Sequence, residues 1–266
     1  MTRILAITNQ KGGVGKTTTG VNLAACLAAA KQRVLLIDLD PQGNATMGSG
    51  IDKRKLTTTV YHVLLGEKLF AETRVKSGNG EYDVLPANRD LAGAEVEMVD
   101  IEHRETRLKD AIAAHSANYD FVLIDCPPAL NLLTVNGLTA AHAVMIPMQC
   151  EYYALEGLSD LVATVKKVRT HLNPTLEIEG LLRTMYDPRN TLAQQVSEQL
   201  ISHFGDKVYR TVIPRNIRLA EAPSHGLPVI HFDRAAKGAQ AYIALAGEML
   251  NRHSPTRTST PAPVVA

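Results

Sequence analysis

Gln10-Lys11-Gly12-Gly13-Val14-Gly15-Lys16-Thr17 follows the apolar run Ile4-Leu5-Ala6-Ile7 and opens a stretch of helix-forming residues. The order strand, glycine loop, Lys-Thr, helix is how a chain holds nucleotide phosphates. Gly12, Gly13 and Gly15 lack Cβ atoms, so the loop can curl and aim successive backbone N–H groups at anionic oxygens. The helix that follows adds the positive end of its dipole. A nucleotide-binding segment is therefore expected from Lys11 through Thr18, Val14 included. Lys16 can reach the β/γ-phosphates, and the Thr17 hydroxyl can ligate Mg²⁺. A plain glycine turn with two solvated lysines would need neither the strand before it nor the helix after it.

Outward from this loop, short apolar runs alternate with helical stretches. Arg3–Thr8 is expected as a strand and Lys16–Ala30 as a helix. Val34–Ile37, Phe121–Ile124, Ala143–Ile146 and Ile178–Leu182 are expected as further strands. Uninterrupted apolar strands separated by helices predict an α/β fold, a mostly parallel twisted sheet with helices on both faces. Leu158, Leu161, Val162, Val165, Val168 and Leu172 recur at helical spacing, so Glu156–Leu172 is an expected amphipathic helix, stopped by Asn173-Pro174. Leu192, Val196, Leu200 and Phe204 mark another. Residues 44–118 are less regular, with a hairpin or short strand expected at Tyr82–Leu85. From Ser254 the composition turns to Ser, Thr, Pro and Ala, which predicts a disordered tail at 254–266 behind one domain at 1–253.

At 266 residues with 45% apolar and 21% charged residues, the chain can fill a globular core. A net charge of +1 excludes a wholesale polycation, so any nucleic-acid binding must come from a local patch. Cys26, Cys126 and Cys150 are widely spaced and lie in apolar settings, which fits buried thiols in a reducing cytoplasm. The first strand begins within three residues of Met1, so no signal peptide is expected. No apolar run approaches the ~20 residues needed to span a bilayer.

Two of the strands end in aspartate. Val34–Ile37 leads into Asp38-Leu39-Asp40-Pro41-Gln42-Gly43-Asn44, and Phe121–Ile124 leads into Asp125-Cys126-Pro127-Pro128. Ligands of α/β sheets sit beyond the carboxyl ends of strands, so both segments are expected beside the glycine loop. Asp125 fits a residue that holds Mg²⁺ directly or through a water. Strand-end aspartates also cap turns, and one alone would not decide the matter.

The loop departs from the general phosphate-binding pattern by carrying Gln10 where glycine is usual, with an additional lysine, Lys11, beside it. This two-lysine form resembles the deviant Walker A loop of the ParA/MinD group of P-loop ATPases. Asp38-Leu39-Asp40-Pro41-Gln42-Gly43-Asn44, Ile124-Asp125-Cys126-Pro127-Pro128 and Ile213-Pro214-Arg215-Asn216 recur in the order found in ParA/Soj partitioning ATPases, and the resemblance spans residues 3–250. It implies an ATP- and Mg²⁺-dependent ATPase in its short form, without an N-terminal helix-turn-helix domain. Lys11 would act with Lys16 on a nucleotide shared across a homodimer, Asp40 would orient the attacking water, and Asp38 would join Asp125 and Thr17 around Mg²⁺. Gly43 and Pro127-Pro128 would belong to loops that respond to the γ-phosphate. Pro214 and Asn216 would enclose the adenine.

Between Arg183 and Arg218 six Lys/Arg stand against three acids. The resemblance places Arg189 and Arg218 on a basic surface that straddles the ATP-bound dimer. It thereby implies non-specific binding of double-stranded DNA, a ParB-type partner that stimulates hydrolysis, and a cytoplasmic, nucleoid-associated protein. The absence of interleaved aromatic residues argues against reading of base sequence. The alternative, a MinD-like membrane-surface ATPase for division-site placement, needs a C-terminal amphipathic helix. Here prolines interrupt that segment, so no membrane partner is expected. An electron-transfer ATPase would need cysteines between Pro127 and Gly137, where there are none. A small-molecule ligase of the dethiobiotin synthetase kind would leave Lys11, Arg189 and Arg218 unexplained.

Overall fold

A computed structural model describes residues 2–79 and 81–253. Its centre is an eight-stranded sheet: β1 (Arg3–Ile7), β2 (Val34–Asp38), β3 (Val75–Lys76), β4 (Asp83–Leu85), β5 (Phe121–Asp125), β6 (Ala143–Gln149), β7 (Glu177–Tyr186) and β8 (Val208–Pro214). The order across the sheet is β3-β4-β2-β5-β1-β6-β7-β8. Every pairing is parallel except β3 with β4. The α/β expectation is therefore met, and within the expected Tyr82–Leu85 stretch Asp83–Leu85 forms a short strand that is half of an antiparallel pair.

The apolar runs are uninterrupted because both sheet faces are covered. Along β1, Ile4 and Ala6 enter one buried cluster with the helices Leu132–Ala140 and Ala154–His171, while Leu5 and Ile7 enter the other with the helices Lys16–Ala29 and Lys237–His253. Alternate side chains thus leave opposite faces, and each finds an apolar partner. Cys26, Cys126 and Cys150 are buried free thiols. Burial pushes the Cys26 thiol up to about 12, and an inert side chain of this kind serves packing rather than chemistry.

The amphipathic helix expected at Glu156–Leu172 runs from Ala154 to His171, and β6 and β7 extend beyond their apolar centres. Two elements at the carboxyl end were not anticipated: β8, and the helix Lys237–His253, which covers it. Residues 44–118 resolve into short helices around β3 and β4. Among the described residues no helix is long and apolar enough to cross a membrane. The tail expected at 254–266 lies outside the described residues.

Candidate functional site

The glycine loop joins β1 to the helix Lys16–Ala29. Gly13 (φ 76°) and Gly15 (φ 89°) lie in the left-handed region, which side chains with a Cβ disfavour. Both ends of the loop are tied down. Asn9 accepts from the Lys11 backbone N–H at 3.0 Å and donates to the Pro147 carbonyl at 2.8 Å. Thr184, at the carboxyl end of β7, donates its hydroxyl to the Val14 carbonyl at 2.8 Å. The loop therefore meets a ligand already shaped, with little ordering entropy left to lose.

β2 and β5 pair so that Asp38 stands beside Asp125. Both carboxylates are fully buried, yet their surroundings differ. Asp38 accepts from the Asp40 N–H (3.1 Å), the Thr46 N–H (2.8 Å) and the Thr46 hydroxyl (2.7 Å). It thus anchors the first turn of the short helix Asn44–Gly48. Asp125 accepts from the Thr17 hydroxyl at 2.7 Å through Oδ2, while its buried Oδ1 has no partner. Burial, and next the charge of Asp38, raises the Asp125 carboxyl well above the usual range. Burial likewise raises Asp38. Lys16 is 7% exposed and donates to the Lys11 carbonyl at 3.2 Å. Burial lowers its ammonium, and the charges of Asp125 and Asp40 oppose that shift.

Gly12, Gly13, Gly15, Lys16, Thr17 and Thr18 form one wall of a cavity of about 430 Å³. Asp40, Asn44 and Pro128 contribute from the ends of β2 and β5, and Pro214, Arg215 and Asn216 close the far side. Segments far apart in sequence thus converge where the carboxyl ends of parallel strands place a ligand. The Asn216 amide oxygen is buried there without a partner. It lies against Gly238, where an added Cβ would come within 3.1 Å of it, and an unmet buried acceptor is a standing cost.

Not every expected residue reaches this cavity. The Val14 side chain is buried and its carbonyl is held by Thr184. Lys11 points elsewhere: its ammonium meets the Glu151 carboxylate at 2.5 Å, with both side chains about half exposed (46% and 50%). Asp38 and Asp125 lie behind the lining. Arg189 is 89% exposed and forked onto Asp187. Arg218 pairs with Glu221 (2.8 Å) and Asp233 (3.3 Å). Arg189 thus holds one acid and Arg218 two, and no hydrogen bond or ion pair joins the two arginines' side chains to a shared partner among the described residues.

The AAA domain family (AAA_31) matches residues 2–178. The sporulation initiation inhibitor protein Soj of Bacillus subtilis is 55% identical over 249 residues, 94% of this chain and 98% of that one. The chromosome partitioning protein ParA of Caulobacter vibrioides is 54% identical over 252 residues, 94% of each chain. This chain belongs to the ParA/Soj family of chromosome-partitioning ATPases. A crystal structure from Mycobacterium smegmatis, named cobyrinic acid a,c-diamide synthase and holding an ATP analogue and magnesium, superposes with a TM-score of 0.83 at 40% identity, covering 95% of this chain and 96% of that one.

For a ParA/Soj member, some of the lining came as a surprise. Thr184, Met185 and Tyr242 reach the cavity although no motif named them, and Ile213 reaches it from the Ile213–Asn216 motif without having been given a role. Thr184 was within reach of the strand-end rule once β7 is followed to its full length. Tyr242 belongs to a helical stripe with Ala239, Leu245, Ala246 and Met249, and its hydroxyl lies 3.1 Å from that of Thr19. Met185 had no sequence signal. It sits at φ 49°, a left-handed position uncommon for a residue with a side chain, beside a register irregularity between β7 and β8.

Proposed function

We propose that the cavity binds ATP with Mg²⁺, that two nucleotide-loaded chains pair, and that the pair binds DNA without regard to sequence. The observation that carries this is the convergence on one cavity of the glycine loop, Asp40 and the Pro214–Asn216 segment. The loop amides and Lys16 face the phosphates, and Pro214 and Asn216 face the base. An amide can both donate to and accept from an adenine edge.

Thr17 and Asp125 would hold Mg²⁺, and the unpartnered Asp125 Oδ1 is the feature that fits the ion. Among the described residues no cluster of three or more His, Cys, Asp or Glu could hold a metal. A cation here would keep waters and use phosphate oxygens, as Mg²⁺ does. When bound, it neutralises charge on the transferred phosphoryl group. Asp38, saturated by Thr46 and Asp40, would support this shell indirectly. Asp40 receives the Gln42 N–H at 2.8 Å through Oδ1, which fixes its carboxylate for orienting a water. Positioning of that kind supplies much of the catalysis in phosphoryl transfer.

Lys11 lies outside its own cavity, exposed and held only by a solvated partner. That placement suits a residue that acts on a second chain's nucleotide. Pairing would double the phosphate contacts made by Arg189 and Arg218, and salt-sensitive affinity rises steeply with contact number. Hydrolysis, stimulated by a ParB-type partner, would then release the DNA and associate the protein with the nucleoid only while triphosphate is bound.

DNA retention measured with ATP, ADP or no nucleotide over a salt series tests this. Retention should require ATP and Mg²⁺ and fall steeply with salt, and Lys16→Ala should abolish ATP binding and retention together. Equal retention without nucleotide, or ATP-dependent retention by Lys16→Ala, overturns the proposal.

A further inference from the structure

A second cavity, of about 790 Å³, lies on the outer side of the loop that carries Asp40. Its walls include Pro41 and Gln42 from that loop, Lys53, Arg54 and Leu56 from the next turn, and Asn88, Arg89 and Asp90 from the segment after β4. Its volume lies in the range of small-ligand sites. Three cations line it against one carboxylate. Arg54 is already forked onto Asp52, outside the lining. Lys53 and Arg89 form no ion pair within 4.0 Å among the described residues. By contrast, Arg74 and Lys76 beside β4 share Asp83.

The Lys53 ammonium is instead spent on a neutral group, the Gln42 carbonyl. Gln42 in turn donates its N–H to Asp40 Oδ1. Gly43, next in the chain, lies so close to both cavity walls that a Cβ there would come within 2.7 Å of the Ala87 carbonyl and 2.8 Å of Lys53 Cδ. The walls of this cavity and the aspartate of the first cavity are thus one connected piece: Lys53 to Gln42 to Asp40.

We infer that this second cavity is a regulatory site for a small oxyanion carrying two or more negative charges, phosphate or carboxylate, held by Lys53 and Arg89. Such an anion offers Lys53 a better acceptor than an amide carbonyl, because hydrogen bonds between charged partners are shorter and stronger. Moving Lys53 off Gln42 frees the Gln42–Gly43 peptide, whose N–H is bonded to the Asp40 carbonyl at 2.8 Å and which adjoins the Pro41–Gln42 peptide that donates to the Asp40 carboxylate, so occupancy changes the hydrolysis rate. The concave walls favour a compact anion over a duplex, whose phosphates meet protruding side chains. The effect on hydrolysis rests on the ATPase reading above, whereas the binding does not.

The test is calorimetric titration of pyrophosphate, and separately of citrate, into the full chain saturated with Mg²⁺ and a slowly cleaved ATP analogue. Saturation with nucleotide and a large excess of Mg²⁺ keeps the first cavity out of the measurement, and the heat of titrating each anion into the same protein-free buffer is subtracted, because both anions chelate Mg²⁺. Binding by pyrophosphate alone assigns phosphate ligands, and binding by citrate alone assigns carboxylates; either supports the site. Lys53→Met, which keeps the aliphatic stem against Gly43, and Arg89→Ala should each weaken the anion about tenfold. Thermal unfolding verifies that both variants fold. In the parent chain the binding anion should shift the ATP hydrolysis rate, and in the variants that shift should disappear. Absence of heat with both anions, or unchanged affinity in both variants, overturns the proposal. So does a loss of ATP-dependent DNA retention in these variants with anion binding intact, which would place both residues on the DNA surface.

Discussion

Asn216 shows what a single residue adds beyond a motif. Its buried oxygen has no partner, and Gly238 leaves room for it, since a Cβ at that position would come within 3.1 Å of it. Asn216→Ala should weaken ATP binding about tenfold and reduce the preference for ATP over GTP, with little loss of thermal stability; equilibrium dialysis with both nucleotides measures it. Asp40→Ala should lower hydrolysis about a hundredfold while ATP-dependent dimers persist, as phosphate release and size-exclusion chromatography would show together. At this scale the sequence was most legible, because glycine loops and strand-end aspartates follow from local chemistry. The bonds that Asp38 accepts from Thr46 and Asp40 carried no sequence signal, because they depend on how the turn after β2 folds back onto the strand end.

At the scale of elements, the outermost strand explains a feature that local patterns hide. β8 is an edge strand, and Glu248 from the helix Lys237–His253 accepts its Arg210 and Thr211 N–H groups at 2.8 Å each. Arg252 pairs with Glu248 and also donates to the Val208 carbonyl. The helix thereby closes an edge that would otherwise be open to pairing with another chain. Glu248→Ala should cost about 1–3 kcal/mol in urea unfolding and promote self-association, detectable by light scattering. The central strands were readable because both faces are apolar. β8 was not, because its burial mixes buried, half-buried and exposed positions. The covering helix did carry a stripe, but its small alanines and single tyrosine make a weak period.

Over the whole molecule, one carboxylate joins both ends of the described chain. Glu179 of β7 meets Arg3 of β1 at 2.7 Å, the His253 ring at 3.0 Å and the Tyr209 hydroxyl of β8 at 3.3 Å. Burial alone would raise its carboxyl, but hydrogen bonds from His253 and Arg3 outweigh it and bring it down to about 2 from 4.5. Because the folded value is depressed, the stabilisation is present above the unfolded value and is lost as pH falls from about 4.5 toward 2, amounting to about 3 kcal/mol. Glu179→Gln should flatten the dependence of unfolding free energy on pH across that window, measured by urea titration at a series of acid pH values. Charge also acts at this scale. Arg189→Glu should reduce the salt slope of DNA retention by about one counterion per contact removed and leave dimerisation intact in size-exclusion chromatography. The fold class was legible from strand and helix order, whereas the network around Glu179 joins residues 176 positions apart, beyond any local pattern.

The bond from Thr184 to Val14 has a mechanical corollary. β7 ends two residues past Thr184, just ahead of the Asp187–Arg189 fork, with the left-handed Met185 between them. A nucleotide that tightens the glycine loop therefore pulls on the same strand end from which the exposed Asp187–Arg189 fork departs. Amide hydrogen exchange at 186–190 should slow when triphosphate arrives, and Thr184→Val, which cuts the tether while leaving the loop sequence whole, should silence that response.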